Sequence, residues 1–240
     1  MKQIIAMHGW SGNSSSWAQW KEQFEKKGWL WQSGDRGYGL NKSFTPKWLN
    51  DKERTDEKTN SRTIIAHSLG THLLSEEILL KATTIILLSS FSRFIPKIGE
   101  TRTIKMGLKG MKKALGTKNE ERMLHSFFQR ACYPNSINNM PYNPIIDSLK
   151  EEGREKLFED LDLLIKTNGL PKGFPKTAKV LVIDSREDLI ILPNTKTTLI
   201  KDLNSHLIQP ITHWRIPKAG HALLKQNIKK DVLNWLESCI

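Results

Sequence analysis

The most constraining feature of this chain is a five-residue turn, Ala66–Gly70, which joins an apolar run to a stretch with helical spacing. The run Thr63-Ile64-Ile65 is typical of a buried strand, and the residues from Thr71 to Glu77 favour a helix. A strand that turns at once into a helix holds its corner residue in a sparsely populated backbone conformation, so small residues are needed two positions to either side. The residues at both ends of the turn meet that requirement, which places Ser68 at an exposed corner.

Apolar runs and helical stretches alternate along the rest of the chain. This order predicts an α/β fold in which a mostly parallel sheet carries helices on both faces. We expect strands at 2–7, 29–33, 62–66, 83–89, 178–184 and 211–216, and helices at 14–27, 69–80, 194–206 and 225–238. The almost wholly polar segment 50–61 is expected to be a solvated loop or a frayed helix.

One connection is far longer than a parallel sheet needs. Between Ser89 and Lys179 lie 89 residues, whereas a crossover between neighbouring parallel strands takes only about a dozen. We therefore expect an α/β core at 1–91 and 176–240 and an inserted helical lid at 92–175, with helices at 102–115, 119–131, 144–150 and 153–166. Because the insertion follows the carboxyl end of a strand, it should cover the edge of the sheet where α/β proteins bind ligands.

Two further polar residues follow apolar runs, in the order that a hydrolytic triad on this kind of scaffold requires. Asp188 lies in the loop after a predicted strand, and His221 follows the last predicted strand on a loop of small residues. Asp184 and Glu187 are rival candidates for the acid. Two plainer interpretations also stand, since a serine before a helix is often an N-cap and His221 could be a surface histidine.

These residue types in this order point to nucleophilic catalysis. His221 would take the proton of Ser68 as the hydroxyl attacks a carbonyl carbon, while Asp188 would fix the imidazole tautomer and stabilise the imidazolium. The backbone amides of Leu69 and Trp10 are the candidate oxyanion hole, because one follows the serine and the other lies in a glycine-containing loop after the first strand. The Trp10 indole could wall an acyl pocket or simply fill the core.

Together these motifs resemble the α/β-hydrolase superfamily. The resemblance is carried by His8-Gly9-Trp10, Asp35–Gly39, Ala66–Gly70, Asp188 with Pro193, and Gly220-His221. The His-Gly-Trp opening, the compact length and the basic middle are similar to the pimeloyl-[acyl-carrier protein] methyl ester esterases of biotin synthesis. The resemblance implies Ser68 as nucleophile, Asp188 as acid, His221 as base, and the Trp10 and Leu69 amides as oxyanion hole, with no cofactor and no metal.

Charge indicates an anionic partner. The chain has a formal net charge of +12, and the segment from Arg93 to Lys118 holds eight basic residues against one acid, Glu100. Such a segment could meet an acidic acyl-carrier protein, an anionic membrane surface without stable insertion, or solvent alone. No nucleic-acid motif accompanies the charge. The candidate carrier-binding residues are Arg102, Lys105, Lys109, Lys112 and Lys113.

The sequence thus predicts a serine carboxylesterase, most specifically one that demethylates pimeloyl-[acyl-carrier protein] methyl ester. A general short-chain carboxylesterase, a lipase, a thioesterase and a non-catalytic binding protein on the same scaffold remain open. The apolar run near the amino terminus is short, so a cytoplasmic location is expected. Cys132 and Cys239 lie far apart without metal-ligand spacing and are expected to be reduced.

Overall fold

A six-stranded, wholly parallel sheet forms the centre of the molecule, in the strand order β2-β1-β3-β4-β5-β6. The computed structural model describes residues 1–49, 61–141, 143, 145, 149–225 and 227–239. The strands are β1 (Lys2–Met7), β2 (Leu30–Gly34), β3 (Ser61–His67), β4 (Thr84–Leu88), β5 (Lys179–Asp184) and β6 (Thr212–Arg215). The predicted fold class is confirmed, and the predicted strands agree with these bounds to within one or two residues.

The four central strands, β1, β3, β4 and β5, are buried along most of their length because helices cover both faces of the sheet. The helices are α1 (Ala18–Glu25), α2 (Gly70–Leu73), α3 (Glu76–Leu80), α4 (Thr101–Ala114), α5 (Glu120–Cys132), α6 (Glu151–Lys166), α7 (Pro193–His206) and α8 (Ile228–Ser238). On one face, α1 and α8 pack against Ile4, Ile65 and Ile86. On the other face, α3 and α7 pack against Ile64 and Ile85. Adjacent isoleucines in a strand therefore point into different hydrophobic layers.

A third hydrophobic cluster covers the carboxyl edge of the sheet. Helices α4, α5 and α6, all between β4 and β5, contribute Leu108, Leu124 and Leu157 to it. Trp10 and Leu69, which follow the carboxyl ends of β1 and β3, belong to the same cluster. The inserted segment thus packs directly over the loops that carry the candidate site residues.

Some helix predictions were wrong in their ends or in their continuity. The predicted helix 69–80 is two short helices, because Leu74 is extended and the Ser75 side chain accepts a hydrogen bond from the Ile78 amide as an N-cap. The predicted helix 14–27 is a 3-10 turn, Ser14–Trp17, followed by α1. The last helix begins at Ile228 rather than 225, and residues 224 and 225 have no regular structure.

Two predictions cannot be compared with the fold. The polar stretch predicted at 50–61 lies, except for Ser61, outside the described residues, and so does most of the helix predicted at 144–150. Within the described ranges, no helix is both long enough and apolar enough to cross a bilayer. Both cysteines are free, and burial raises the pKa of the Cys132 thiol to about 11, which keeps that thiol protonated at neutral pH.

Candidate active site

Ser68 occupies the sharp corner between β3 and α2, but it is buried and not exposed as the sequence predicts. Its φ angle is 54°, in the left-handed region that residues with a side chain rarely adopt. The corner is held from both sides, because the Ser68 amide donates to the Leu88 carbonyl at 2.8 Å and the Ser68 carbonyl accepts from the Ser90 hydroxyl at 2.8 Å. The strained conformation is therefore fixed by β4 and the residues that follow it.

Two glycines, Gly9 and Gly70, allow the loop after β1 to approach the corner at Ser68 closely. A Cβ atom at Gly70 would lie 2.4 Å from the Met7 carbonyl oxygen, and one at Gly9 would lie 2.8 Å from the Ser68 Cβ. Neither position could carry a side chain without moving backbone or the serine itself. The requirement for a small residue after the serine thus has a direct steric cause.

His221 and Asp188 form a buried pair. The Nδ1 atom of His221 lies 3.0 Å from one carboxylate oxygen of Asp188, and both side chains are almost fully buried. The other carboxylate oxygen accepts hydrogen bonds from the amides of Ile190 and Ile191 at 2.8 and 2.9 Å. With Nδ1 donating to a carboxylate, Nε2 is the nitrogen left free to take a proton.

The charge state of Asp188 follows from these contacts. Burial favours the neutral acid, but the charge of His221, its hydrogen bond and the Ile191 amide outweigh burial and hold the pKa of Asp188 below its usual value. Asp188 is therefore a carboxylate at neutral pH. An anion at that position stabilises a positive charge on His221.

The two rival acids are engaged elsewhere. Asp184 is the last residue of β5 and binds His213 at 2.8 Å and Arg215 at 3.0 Å. Glu187 accepts hydrogen bonds from the Ser185 hydroxyl at 2.7 Å and the Lys218 amide at 2.9 Å. Of the three candidate acids, Asp188 is the one that contacts His221.

Ser68 and His221 line one cavity of about 770 Å³. Its apolar wall includes Trp10, Phe127, Phe128 and Met140, so part of it is built by the inserted helices. A cavity of this size is within the range that binds small organic ligands. The serine and the histidine therefore line a space large enough for a small organic ligand.

Solved structures match this chain along almost its whole length, although no protein-family model and no curated protein sequence matches it. An esterase from Exiguobacterium antarcticum gives a TM-score of 0.68 at 16% identity and covers 99% of this chain and 91% of its own. An α/β-hydrolase enzyme from a Medee basin deep-sea metagenome library gives 0.65 at 15%, covering 99% and 88%. The hydrolase olei00960 from Oleispira antarctica gives 0.68 at 12%, covering 99% and 91%.

This chain has the α/β-hydrolase fold. At such low identity the likeness concerns the fold, and the chemistry must be argued from the residues of the site.

In this α/β-hydrolase fold the two candidate oxyanion amides are free to bind a ligand. Among the described residues, neither the Trp10 amide nor the Leu69 amide has a hydrogen-bond acceptor. The Leu69 side chain is fully buried, which fixes the backbone directly after Ser68. The Trp10 indole lines the cavity, packs in the hydrophobic core and donates to the Leu157 carbonyl of α6 at 2.9 Å.

Two histidines next to the site, His67 and His8, belong to the sequence motifs but were given no role by the sequence analysis. Both support the site through hydrogen bonds. The Nε2 atom of His67 donates to the His221 carbonyl at 2.9 Å, and their rings lie 4.9 Å apart. Burial and the neighbouring His221 lower the pKa of His67 to about 4, so it is neutral at pH 7. His8 accepts from the Arg36 amide at 3.1 Å and donates through Nδ1 to the Gly9 carbonyl at 2.8 Å, which shapes the first loop.

A buried polar cluster joins helix α6, which lies between β4 and β5 in the chain, to the loop after β2. Asp160 of α6 accepts two hydrogen bonds from the Arg36 guanidinium, at 2.8 and 2.7 Å, and a third from the Tyr38 hydroxyl. A Cβ atom at Gly153, also in α6, would lie 1.8 Å from the Tyr38 carbonyl oxygen. Helix α6 is thus fixed to the loop after β2 by both charge and close packing.

The basic residues of α4 do not share one environment. Arg102, Lys105, Lys109 and Lys113 are exposed to solvent. Lys112 is instead partly buried, forms an ion pair with Asp162 of α6 and lies 3.9 Å from the centre of the Phe158 ring. Lys112 therefore joins α4 to α6, and the outward-facing charge comes from the other four residues. Among the described residues, no cluster of side chains is arranged to hold a metal ion.

Proposed function

We propose that this protein is a serine hydrolase of carboxylic esters that acts through an acyl-enzyme on Ser68. The observation that carries the proposal is the buried pair of His221 and Asp188, because its histidine lines the same cavity as the strained Ser68. Esterases among the solved structures with this fold, from Exiguobacterium antarcticum and Nitrososphaera gargenis, support it. The charged, buried Asp188 gives the histidine the tautomer that a general base needs.

In the first half of the reaction, the Ser68 hydroxyl attacks the ester carbonyl carbon while Nε2 of His221 takes its proton. The oxygen that becomes negative receives hydrogen bonds from the Trp10 and Leu69 amides, whose N–H groups have no other acceptor among the described residues. The tetrahedral intermediate then collapses, the bond to the alcohol oxygen breaks, and His221 returns the proton to the leaving alcohol. The products of this half are the alcohol and an ester of Ser68.

Water completes the cycle. Nε2 of His221 takes a proton from a water molecule as the water oxygen attacks the acyl carbon, and the same two amides bind the second oxyanion. Collapse of this intermediate releases the carboxylic acid and returns the proton to Ser68. Asp188 stays ionised throughout and stabilises the imidazolium in both halves.

As the most specific substrate we propose the methyl ester of a pimeloyl group on an acyl-carrier protein. The cavity can hold an acyl chain of that length, and the exposed charges of Arg102, Lys105, Lys109 and Lys113 suit an acidic carrier. Methanol would leave in the first half of the reaction, and the free carboxylate would be released in the second, with the carrier still attached.

The proposal is tested with a fluorophosphonate probe and p-nitrophenyl butyrate. We expect the probe to label Ser68, and we expect Ser68→Ala to abolish both labelling and hydrolysis while the melting temperature stays close to that of the wild type. Ser205→Ala, at an exposed serine outside the cavity, is the matched control and should behave as the wild type. Hydrolysis by Ser68→Ala at a near-normal rate would exclude Ser68 as the nucleophile.

The specific substrate needs a separate test. Expression in a biotin-requiring strain that lacks its own methyl ester esterase should restore growth, and the Ser68→Ala variant should not. Hydrolysis of p-nitrophenyl butyrate without rescue would point to a general esterase instead.

A further inference from the structure

Two buried polar atoms beside the cavity have no hydrogen-bond partner in the part of the chain that the structure describes. Ser11 and Trp17 both line the cavity and are buried, and among the described residues neither the Ser11 hydroxyl oxygen nor the Trp17 indole nitrogen has a hydrogen-bond partner. Buried polar groups in folded proteins are nearly always hydrogen-bonded. Two exceptions in the wall of one cavity indicate groups that a ligand satisfies.

Ser11 is also held in an unfavourable backbone conformation. Its φ angle is 58°, although it is not a glycine. The Asn143 side chain donates to the Ser11 carbonyl at 2.8 Å, and the Gly12 amide donates to the Gly9 carbonyl at 3.1 Å, so the turn is fixed on both sides. Strain that the surroundings maintain at a polar residue is characteristic of ligand contacts.

The chemistry of Trp17 limits what that ligand can be. An indole nitrogen can donate a hydrogen bond but cannot accept one. The Trp17 ring packs edge-on against Trp20, with the ring centres 5.7 Å apart, and lies 6.3 Å from Trp31, so its orientation is constrained. The group that satisfies Trp17 must therefore offer an acceptor oxygen.

The charge of the cavity wall favours an anionic oxygen. Lys225 and Lys229 line the cavity, and none of its described lining residues is an aspartate or a glutamate. Lys229 donates to the side chain of Gln19, another lining residue, while Lys225 is exposed and has no ion pair with any described carboxylate. Two ammonium groups without acidic neighbours in the wall attract negative charge.

We infer that the cavity contains a subsite for a second, anionic oxygen group carried by the ester substrate, bound by Ser11, Trp17, Lys225 and Lys229. This inference rests on the proposed function and narrows its substrate class to esters that also bear a carboxylate or a phosphate. Monoesters of dicarboxylic acids place that group on the acyl side, and esters of hydroxy acids place it on the alcohol side.

Two pairs of esters test the subsite. Monomethyl pimelate is compared with methyl heptanoate, and the butanoate ester of 6-hydroxyhexanoic acid is compared with hexyl butanoate. We expect kcat/KM to favour the charged member of at least one pair by about tenfold or more, since one charged hydrogen-bonded contact has that effect. The pair that shows the preference identifies the side of the ester that carries the anion.

Variants then locate the effect. Trp17→Phe keeps the ring and removes the donor, and the double variant Lys225→Gln/Lys229→Gln removes the charges. Each should reduce the preference for the charged ester by about fivefold or more. Lys230→Gln changes an exposed lysine that is next to Lys229 in α8 and does not line the cavity, and it should leave the preference unchanged.

The outcomes separate the subsite from the proposed reaction. Equal hydrolysis of charged and neutral esters in both pairs would overturn the subsite and leave the esterase intact. If no ester is hydrolysed and the fluorophosphonate probe does not label Ser68, the proposed function fails. The subsite is then tested alone by calorimetric titration of the Ser68→Ala variant with monomethyl pimelate and with methyl heptanoate. Binding of the charged ester that is no tighter than binding of the neutral one would overturn it there.

Discussion

The indole nitrogen of Trp10 donates a 2.9 Å hydrogen bond to the Leu157 carbonyl of α6. The same ring meets Phe127 of α5 edge-on, with the ring centres 4.9 Å apart. The backbone of Trp10 carries a candidate oxyanion donor, and its side chain is fixed by the inserted helices. The position of that donor therefore depends on a segment outside the sheet, because the amide and the indole belong to one residue.

Replacement of Trp10 by Phe separates these two roles. The amide remains, so we expect kcat/KM for p-nitrophenyl butyrate to fall by less than about tenfold, while loss of the buried hydrogen bond lowers the free energy of unfolding by about 1 kcal/mol. Trp48→Phe is the matched control, since the Trp48 indole also donates to a carbonyl at 2.9 Å, that of Ile78, away from the cavity. Urea unfolding and steady-state rates measure both effects. A loss of activity as large as that of Ser68→Ala would contradict the assignment of the amide as the donor.

Replacement of Asp188 by Asn tests the acid. The new amide can still accept from the Ile190 and Ile191 amides, but its NH2 group would face Nδ1 of His221 and favour the wrong tautomer. We expect kcat/KM to fall by about a thousandfold or more. Glu187→Gln, in the same loop but bonded to Ser185 and Lys218, should change kcat/KM by less than about threefold. Similar losses in the two variants would mean that Asp188 has no special role.

Gly220 precedes the candidate base and touches the end of α5. Its φ angle is 65°, and a Cβ atom there would lie 2.1 Å from the Tyr133 carbonyl oxygen. Gly220→Ala should lower the free energy of unfolding by about 3 kcal/mol or more and displace His221. Gly28→Ala is the control, because Gly28 has a φ of 78° and open space around its Cβ position. It should cost only about 1 to 2 kcal/mol. Equal melting temperatures for the two alanine variants would show that the contact with α5 can relax.

The sequence predicted the centre of the sheet well because its four central strands are buried on both faces. Continuous apolar runs such as Ile64-Ile65 and Ile85-Ile86 mark such strands without any tertiary information. The break between α2 and α3 was missed because leucines continue the helical spacing through it, although Ser75 followed by Glu76 is an N-cap pattern that could have revealed it.

For the candidate site, sequence order proposed Asp188 and His221, but their pairing depends on how the loops after β5 and β6 pack. Asp184 and Glu187 could be set aside only when their own partners were known. The environment of Lys112 could not be foreseen either, since its partner Asp162 lies 50 residues away on another helix. Contacts of this kind come from tertiary packing and not from local spacing.

Charge reversal on α4 tests the proposed carrier. Lys105 and Lys109 are exposed, so Lys105→Glu/Lys109→Glu should repel an acidic carrier and lower kcat/KM for the carrier-bound ester by about tenfold or more at low salt. The loss should shrink as ionic strength rises, because exposed charges are screened. Lys201→Glu/Lys230→Glu makes the same change of charge on other helices and should have a smaller effect. If both double variants lose the same activity toward the carrier-bound ester, overall charge and not α4 is responsible.

His67 makes stability depend on pH. Its pKa is about 4 in the folded protein, because of burial and the neighbouring His221, against 6.5 for an unperturbed histidine. Between those pH values the unfolded chain binds a proton at His67 that the folded chain does not bind. The free energy of unfolding therefore falls as pH drops from about 6.5 to about 4, by up to about 3 kcal/mol. Below pH 4 the contribution of His67 no longer changes with pH. In His67→Gln the amide can still donate to the His221 carbonyl but does not titrate. Urea unfolding of both proteins at pH 4.5, 5.5, 6.5 and 7.5 should therefore show the wild type losing more stability than the variant over this range. Parallel curves would mean that His67 is protonated equally in the folded and unfolded chains.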